Sequence, residues 1–346
     1  MSNIFETEAL LWEHGKGGYS LFHVFGVIAA GDVVLAFAEA RALGKDAGEA
    51  HDIVMRRSTD GGKSFAQSTP LFNSGRCLVN PTPIYDAQTG RVLLFFAENH
   101  ENTHTVLYLS HSDNLGITWS APKDVTHFIT EKKDTPFHLP GPTHGIQLQK
   151  GPQTGRLLLQ LWHRGTDVTL PRTERGYCAS LLYSDDHGAS WSHIPALGHA
   201  LCTNESALCE TDEGVLWALR SFGTQHAITK STDGGVTWSA VQKMPLPPAF
   251  ACQAGLVSLP DFENTPETIL LSRVSRPEKE CRRDMELCLS HDDGVTFPVH
   301  YALPKGDATP GYSDLCSLDG GKTVGLLHCF EGNVLFTRIP LRALST

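Results

Sequence analysis

Arg41 ends the run FAEAR, and Asp46 follows five residues later in a polar, glycine-containing loop. Glu205 lies in NESALCE, and Arg220 closes an apolar run fifteen residues on. Arg282 and Arg283 stand side by side in CRRDMELCLS, and Tyr312 follows in PGYSDL. Guanidinium groups can grip an anionic substrate, while carboxylates and a phenol can exchange protons with it. Each residue also has a plainer reading. An arginine and an aspartate near a loop are more often a surface pair. Charges at strand ends are often simply solvated. Lys and Arg total 28 against 38 Asp and Glu, a net charge of −10. That acidity argues against nucleic acid as a partner. It does not exclude an acidic small molecule, because a few local arginines can override the global sign.

What could hold such scattered residues together is a repeat. The pattern Ser-x-Asp-x-Gly-x-Ser/Thr-aromatic occurs at Ser58–Phe65, Ser112–Trp119, Ser184–Trp191, Ser231–Trp238 and Ser290–Phe297. Asn114 takes the Asp place in the second copy. The pattern fits a tight hairpin turn: the acid accepts backbone N–H groups and glycine takes the positive φ. One copy means only a hairpin; five at separations of 54, 72, 47 and 59 residues indicate a repeat architecture. These turns resemble the Asp-boxes in the blades of sialidase-type β-propellers. Their aspartates are expected to be scaffold. A near-match at Ser317–Val324 lacks the aromatic and reads as an ordinary Asp-Gly hairpin.

Short apolar runs at 32–40, 91–98, 156–162, 214–220, 268–274 and 323–330 read as strands. No helix of twelve or more residues is expected, and 131–142 and 165–176 read as long loops. The fold expected is all-β: one domain over residues 1–346, a six-bladed β-propeller of four-stranded antiparallel sheets, the last closed by pairing the chain's two ends. No run of about 18 apolar residues suggests a membrane span. Residues 1–16 lack a basic start and an apolar core, so a secretory signal is not expected. Nine scattered cysteines without a CxxC pair read as reduced, mostly buried thiols of a cytoplasmic protein. No metal or cofactor is expected.

The order Arg, Asp, Glu, Arg, Arg, Tyr, threaded through Asp-boxes, resembles the sialidase (neuraminidase) family over nearly the whole chain. LAFAEAR, NPTPIYDAQTG, GPTHGIQL, NESALCE, ACQAGLVSL and GYSDL are similar to family blocks in the family's order. The resemblance implies that Tyr312 is the nucleophile and Glu205 its general base. Asp46 would be the acid for the leaving oxygen and then the base for water. Arg220 and Arg282 would bind the substrate carboxylate, with Arg41 beside Asp46. Register from the box at Ser290 favours Arg282 over Arg283. A tyrosine suits this substrate class, because a carboxylate nucleophile would be repelled by the sugar's own charge. Asn80, His144 and Gln253 are further candidates to line the pocket, each more readily structural than catalytic.

The chain departs from the family at two linked places. The family opens with an aromatic-Arg-Ile-Pro block, whose arginine is the first of a carboxylate-binding triad. Here the corresponding stretch is FHVFG, with His23 in the arginine's place. The family's later glutamate, which pairs with that arginine, is replaced by Cys329. His23 is then either a substrate-facing group or a core histidine on an inner strand.

The expected function is a retaining exo-glycosidase that hydrolyses a terminal α-linked sialic acid, or a related acidic ulosonic sugar, through a tyrosyl intermediate. Its partner would be an acidic sugar or sialoglycoconjugate, with no nucleic acid and no membrane. Two alternatives stand beside it: a non-catalytic propeller that binds acidic glycans, and a lyase or hydrolase of another acidic sugar with His23 in the site.

Overall fold

The computed structural model describes residues 5–344 apart from 131–135, 166, 168, 172–173, 198–201, 222–225, 261–266 and 279–280. Six antiparallel sheets are arranged as blades. The first runs outward through Leu21–Ala30, Val33–Arg41, His51–Ser58 and Thr69–Phe72. The sixth contains Ser313–Leu318, Thr323–Phe330 and Asn333–Pro340, and its outer strand is Thr7–Glu13 from the other end of the chain. Thr7 pairs Arg338 and Glu13 pairs Asn333, which closes the ring as the sequence suggested.

The six apolar runs singled out above are all the second strands of their blades: Val33–Arg41, Arg91–His100, Leu157–Arg164, Gly214–Ser221, Thr268–Val274 and Thr323–Phe330. A second strand lies between an inner and a third strand and is covered by the blades on either side. It is therefore buried on both faces and reads as an unbroken apolar run rather than an alternating one. Leu157–Arg164 is buried at every position. The third blade corrects one expectation. Its innermost strand comes in two pieces, Phe137–Pro140 and Ile146–Gln147, both paired with Leu157–Arg164. Part of the stretch read as a loop over 131–142 is thus strand, while 131–135 lies outside the described residues.

Each of the five boxes joins the third strand of a blade to the fourth. The bonding repeats from box to box. In the first, Ser58 Oγ accepts from Gly62 N at 2.8 Å. Asp60 accepts from Ser64 N at 2.9 Å and from Ser64 Oγ at 2.6 Å. Those hydrogen bonds hold the Asp60 carboxyl down at about 2. Asn114 takes the same acceptor position and donates to Thr118 Oγ1 at 2.8 Å. The box glycine is fixed by packing as well as by its positive φ. At Gly62 a Cβ would meet the Phe336 ring of the preceding blade, and at Gly116 it would come within 2.9 Å of Leu35 Cδ2, also one blade back. Asp319–Gly321, by contrast, joins the first two strands of the sixth blade, so it is an ordinary hairpin.

Strand direction separates the boxes from the chemistry. Inner strands run from one end of the propeller to the other, second strands return, and third strands go back again. The boxes therefore lie at the end where inner strands finish. The opposite end is built from the first residues of inner strands and the last residues of second strands.

Candidate active site

A cavity of about 430 Å³ occupies that opposite end. His23 and Asn80 come from the starts of inner strands, and Glu205 from the start of Thr203–Thr211. Arg41, Arg164 and Arg220 come from the ends of second strands. Tyr312 sits one residue before the inner strand of the sixth blade, and Arg282 lies between two strands of the fifth.

Three inner strands carry a register shift where they supply a lining residue: between His23 and Phe25, between Val79 and Thr82, and between Thr203 and Ser206. Val24 and Asn80 have φ values of 58° and 56°. A positive φ is an outlier for a β-branched residue, and bulges of this kind re-aim neighbouring side chains. They turn His23, Asn80 and Glu205 toward the cavity.

At the floor, Tyr312 Oη donates to Glu205 Oε1, and Arg220 Nη1 donates to Glu205 Oε2. Arg220 also reaches Tyr312 Oη at 3.4 Å. Burial opposes the Arg220 charge, but Glu205 outweighs it and raises the guanidinium's pKa. Burial, and next the Glu205 charge, push the Tyr312 phenol well above its ordinary value. The phenol is therefore neutral, with a carboxylate placed to take its proton. Arg282 stands over the Tyr312 ring, 5.7 Å from the centroid, and donates to the Pro310 carbonyl.

At the mouth, Arg41 Nη1 meets Asp46 Oδ1 at 2.5 Å. The Asp46 side chain is 86% exposed. Arg41 is held from below by Glu39 at 2.6 Å. Glu39 is fully buried and also accepts from Asn80 N at 2.6 Å. Sequence reasoning quoted Glu39 inside FAEAR without assigning it; its place two residues before Arg41, on the same strand face, was the available signal.

His23 lies on an inner strand and borders the cavity. Its ring is 4.3 Å from that of Tyr312. Burial, then the charges of Arg41, Arg282, His14 and Arg220, lower its pKa well below the usual value. His23 is thus neutral and adds no cation. Next to it, His14 Nε2 lies 3.2 Å from Phe22 O and 4.0 Å from the Cys329 thiol. Burial raises the Cys329 pKa well above its ordinary value, so the thiol is neutral.

Gln253 is a correction. It does not border the cavity. Its amide donates to Ser313 O and accepts from Ser313 N, both at 2.9 Å, fixing the strand that follows Tyr312. His144 also lies outside the lining and pairs with Asp314 at 2.9 Å. Arg283 pairs with Asp307 through an isolated backbone bridge and does not border the cavity. The other wall, with Asn99, Asn102, Phe137, Trp162, Arg164 and Tyr177, was not anticipated.

Residues 32–329 match the BNR repeat-like domain family. Sialidase-3 of Rattus norvegicus is 30% identical over 362 residues, covering 86% of this chain and 84% of the relative. The chain belongs to the sialidase family. A sialidase of Micromonospora viridifaciens is 27% identical over 361 residues, 93% of this chain and 52% of the relative. Several of the curated sialidases it matches are likewise about twice the length the chain spans. The solved structure of Hadza microbial sialidase Hz136 superposes with a TM-score of 0.83 at 24% identity, covering 97% of this chain and 68% of that one. This supports the propeller. Within this sialidase family member, the described residues hold one group of potential metal ligands, Glu286, Cys288 and His300, outside the cavity lining. Glu286 is already tied to Arg273 at 2.6 Å.

Proposed function

We propose that the cavity is the active site of a retaining exo-glycosidase that removes a terminal α-linked sialic acid, or a related acidic ulosonic sugar, through a tyrosyl intermediate. The observation that carries this reading is the Tyr312–Glu205–Arg220 contact on the cavity floor. A binding-only propeller would account for the arginines but leaves a buried phenol on a carboxylate without a task.

In the first step Tyr312 Oη attacks the anomeric carbon while Glu205 takes the phenolic proton. The bond to the leaving oxygen breaks, and Asp46 protonates that oxygen. In the second step Asp46 takes a proton from water, the hydroxide attacks the same carbon, and Tyr312 leaves with its proton returned from Glu205. Two displacements retain configuration. Arg220 and Arg282 hold the sugar carboxylate, and Arg41 keeps Asp46 at the mouth, where its exposure gives water access. The cavity volume suits one sugar unit. Nine cysteines, none of them in a disulfide, support a reducing compartment such as the cytoplasm.

The test is release of fluorophore from an aryl α-sialoside by the wild type and by Tyr312→Phe. The wild type should turn over, and the variant should lose at least about 10³-fold in kcat. Turnover that survives the substitution would overturn the tyrosyl step. Turnover only with aryl ketosides of other acidic sugars would move the substrate and leave the mechanism.

A further inference from the structure

The charges around the cavity do not balance evenly. Arg41 is matched by Glu39 and Asp46, and Arg220 by Glu205. Arg282 faces no carboxylate among the described residues, as expected of a group that waits for the substrate's own. Arg164 is a second: among the described residues no carboxylate pairs with it, and Glu101, which also borders the cavity, forms no ion pair with it. It ends the second strand of the third blade, borders the same cavity and is only 4% exposed.

Its hydrogen bonds go only to neutral oxygens: Gly165 O at 2.9 Å, Asn102 Oδ1 at 3.2 Å and Asn102 O at 3.4 Å. Its guanidinium carbon lies over the Phe137 ring, 3.8 Å from the centroid. Burial lowers its pKa, with Tyr177 acting against this and Arg175, on the same wall, adding to it. A buried cation without an acid is costly. An arginine serving only to pack its stem would keep its head in bulk water. Here the head is turned to a cavity instead.

The third and sixth blades face each other across a six-membered ring. Arg164 therefore looks across the cavity toward Tyr312 and Arg282. We propose that Arg164, with Asn102 and Arg175, forms a second anion subsite. The substrate would then carry two acidic groups: the carboxylate beside the anomeric carbon, and an oxyanion on the substituent that reaches the third blade. That oxyanion is a carboxylate, a sulfate ester or a phosphate ester. The inference rests on the glycosidase reading for the first acidic group, while the subsite itself rests on Arg164 alone.

Calorimetric titration with three free sugar acids tests it: N-acetylneuraminic acid, its 9-phosphate, and the analogue whose N-acyl group ends in a carboxylate. In the wild type, one of the two dianions should bind at least about tenfold more tightly than the monoanion, the value of one charge-assisted contact. Arg164→Gln should bring that ratio close to one, and Arg164→Lys should keep part of it. Equal affinity for all three in the wild type would overturn the subsite, as would a preference that survives Arg164→Gln. If none of the three binds, the sialic acid reading falls, and inorganic phosphate then reports on the subsite alone. A thermal midpoint raised by millimolar phosphate in the wild type, and raised less in Arg164→Gln, supports it. The same rise in both proteins overturns it.

Discussion

Tyr312 and Glu205 are 107 residues apart and share one hydrogen bond at the cavity floor. Arg220, from the same blade as Glu205, takes the other carboxylate oxygen. The contact joins the fourth blade to the sixth across the fifth, so the proposed nucleophile and base are aligned only in the closed ring.

Arg220 and Arg282 should separate when each is changed to Gln. Arg220→Gln leaves Glu205 buried beside a neutral partner and should cost about 3–5 kcal/mol of stability. Among the described residues, Arg282 neutralises no carboxylate. Arg282→Gln should therefore stay within about 1 kcal/mol of the wild-type stability, while KM for an aryl α-sialoside rises roughly 10- to 100-fold. Urea unfolding and initial rates on the same preparations check both.

Replacing His23 by Arg should destabilise the protein by about 2–4 kcal/mol, because the added cation joins Arg41, Arg282 and Arg220 while Glu39, Asp46 and Glu205 are already paired. The neutral His14 and Cys329 alongside cannot compensate. Adding Cys329→Glu should recover at least half of the loss. A double variant no more stable than the single one would show that the two positions are not coupled.

Stability should peak near pH 6.5. Burial lowers His23 well below its usual pKa and brings His226 and His328 to about 4. The unfolded chain binds more protons at these positions, so their contribution is whole above about 6.5 and is lost as pH falls toward 4. His51 has the opposite sign. Hydrogen bonds with Cys77 and Glu39 outweigh its burial and raise it to about 9. Its contribution is whole below about 6.5 and is lost as pH rises through 9. Thermal midpoints between pH 4 and 9 would show the peak; a steady rise across that range would contradict it.

Gly62→Ala should lower stability by about 2–4 kcal/mol, since the Cβ meets Phe336 and the backbone φ is +82°. Gly62 lies at the end of the propeller away from the cavity. KM for the aryl sialoside should therefore stay within twofold at temperatures where the variant is folded.

The blades were legible because burial on both faces writes a continuous apolar run, and because the boxes repeat. Phe137–Pro140 was not, since it is short, ends in proline and follows a polar stretch. His23, Asn80 and Glu205 fall at the starts of inner strands and Arg41, Arg164 and Arg220 at the ends of second strands, but only their types and order show in the sequence. Gln253 illustrates the limit: it sits just before an inner strand, where lining residues occur, yet its amide turns to the next blade's backbone. Arg164 was missed because it ends an apolar strand and resembles a solvated terminus. The bulges that aim His23, Asn80 and Glu205 leave no compositional mark.

The pairing of Thr7–Glu13 with Asn333–Pro340 sets an order of events during synthesis. Glu6 and Arg338 meet across 332 residues of chain. As a ribosome makes this segment, the strand that emerges early waits, unpaired, until five blades have been laid down after it. Contacts of such long sequence separation form slowly. The ring is therefore sealed by its oldest strand and its newest, and a nascent chain stopped before residue 333 would present an open sixth blade to the quality-control machinery.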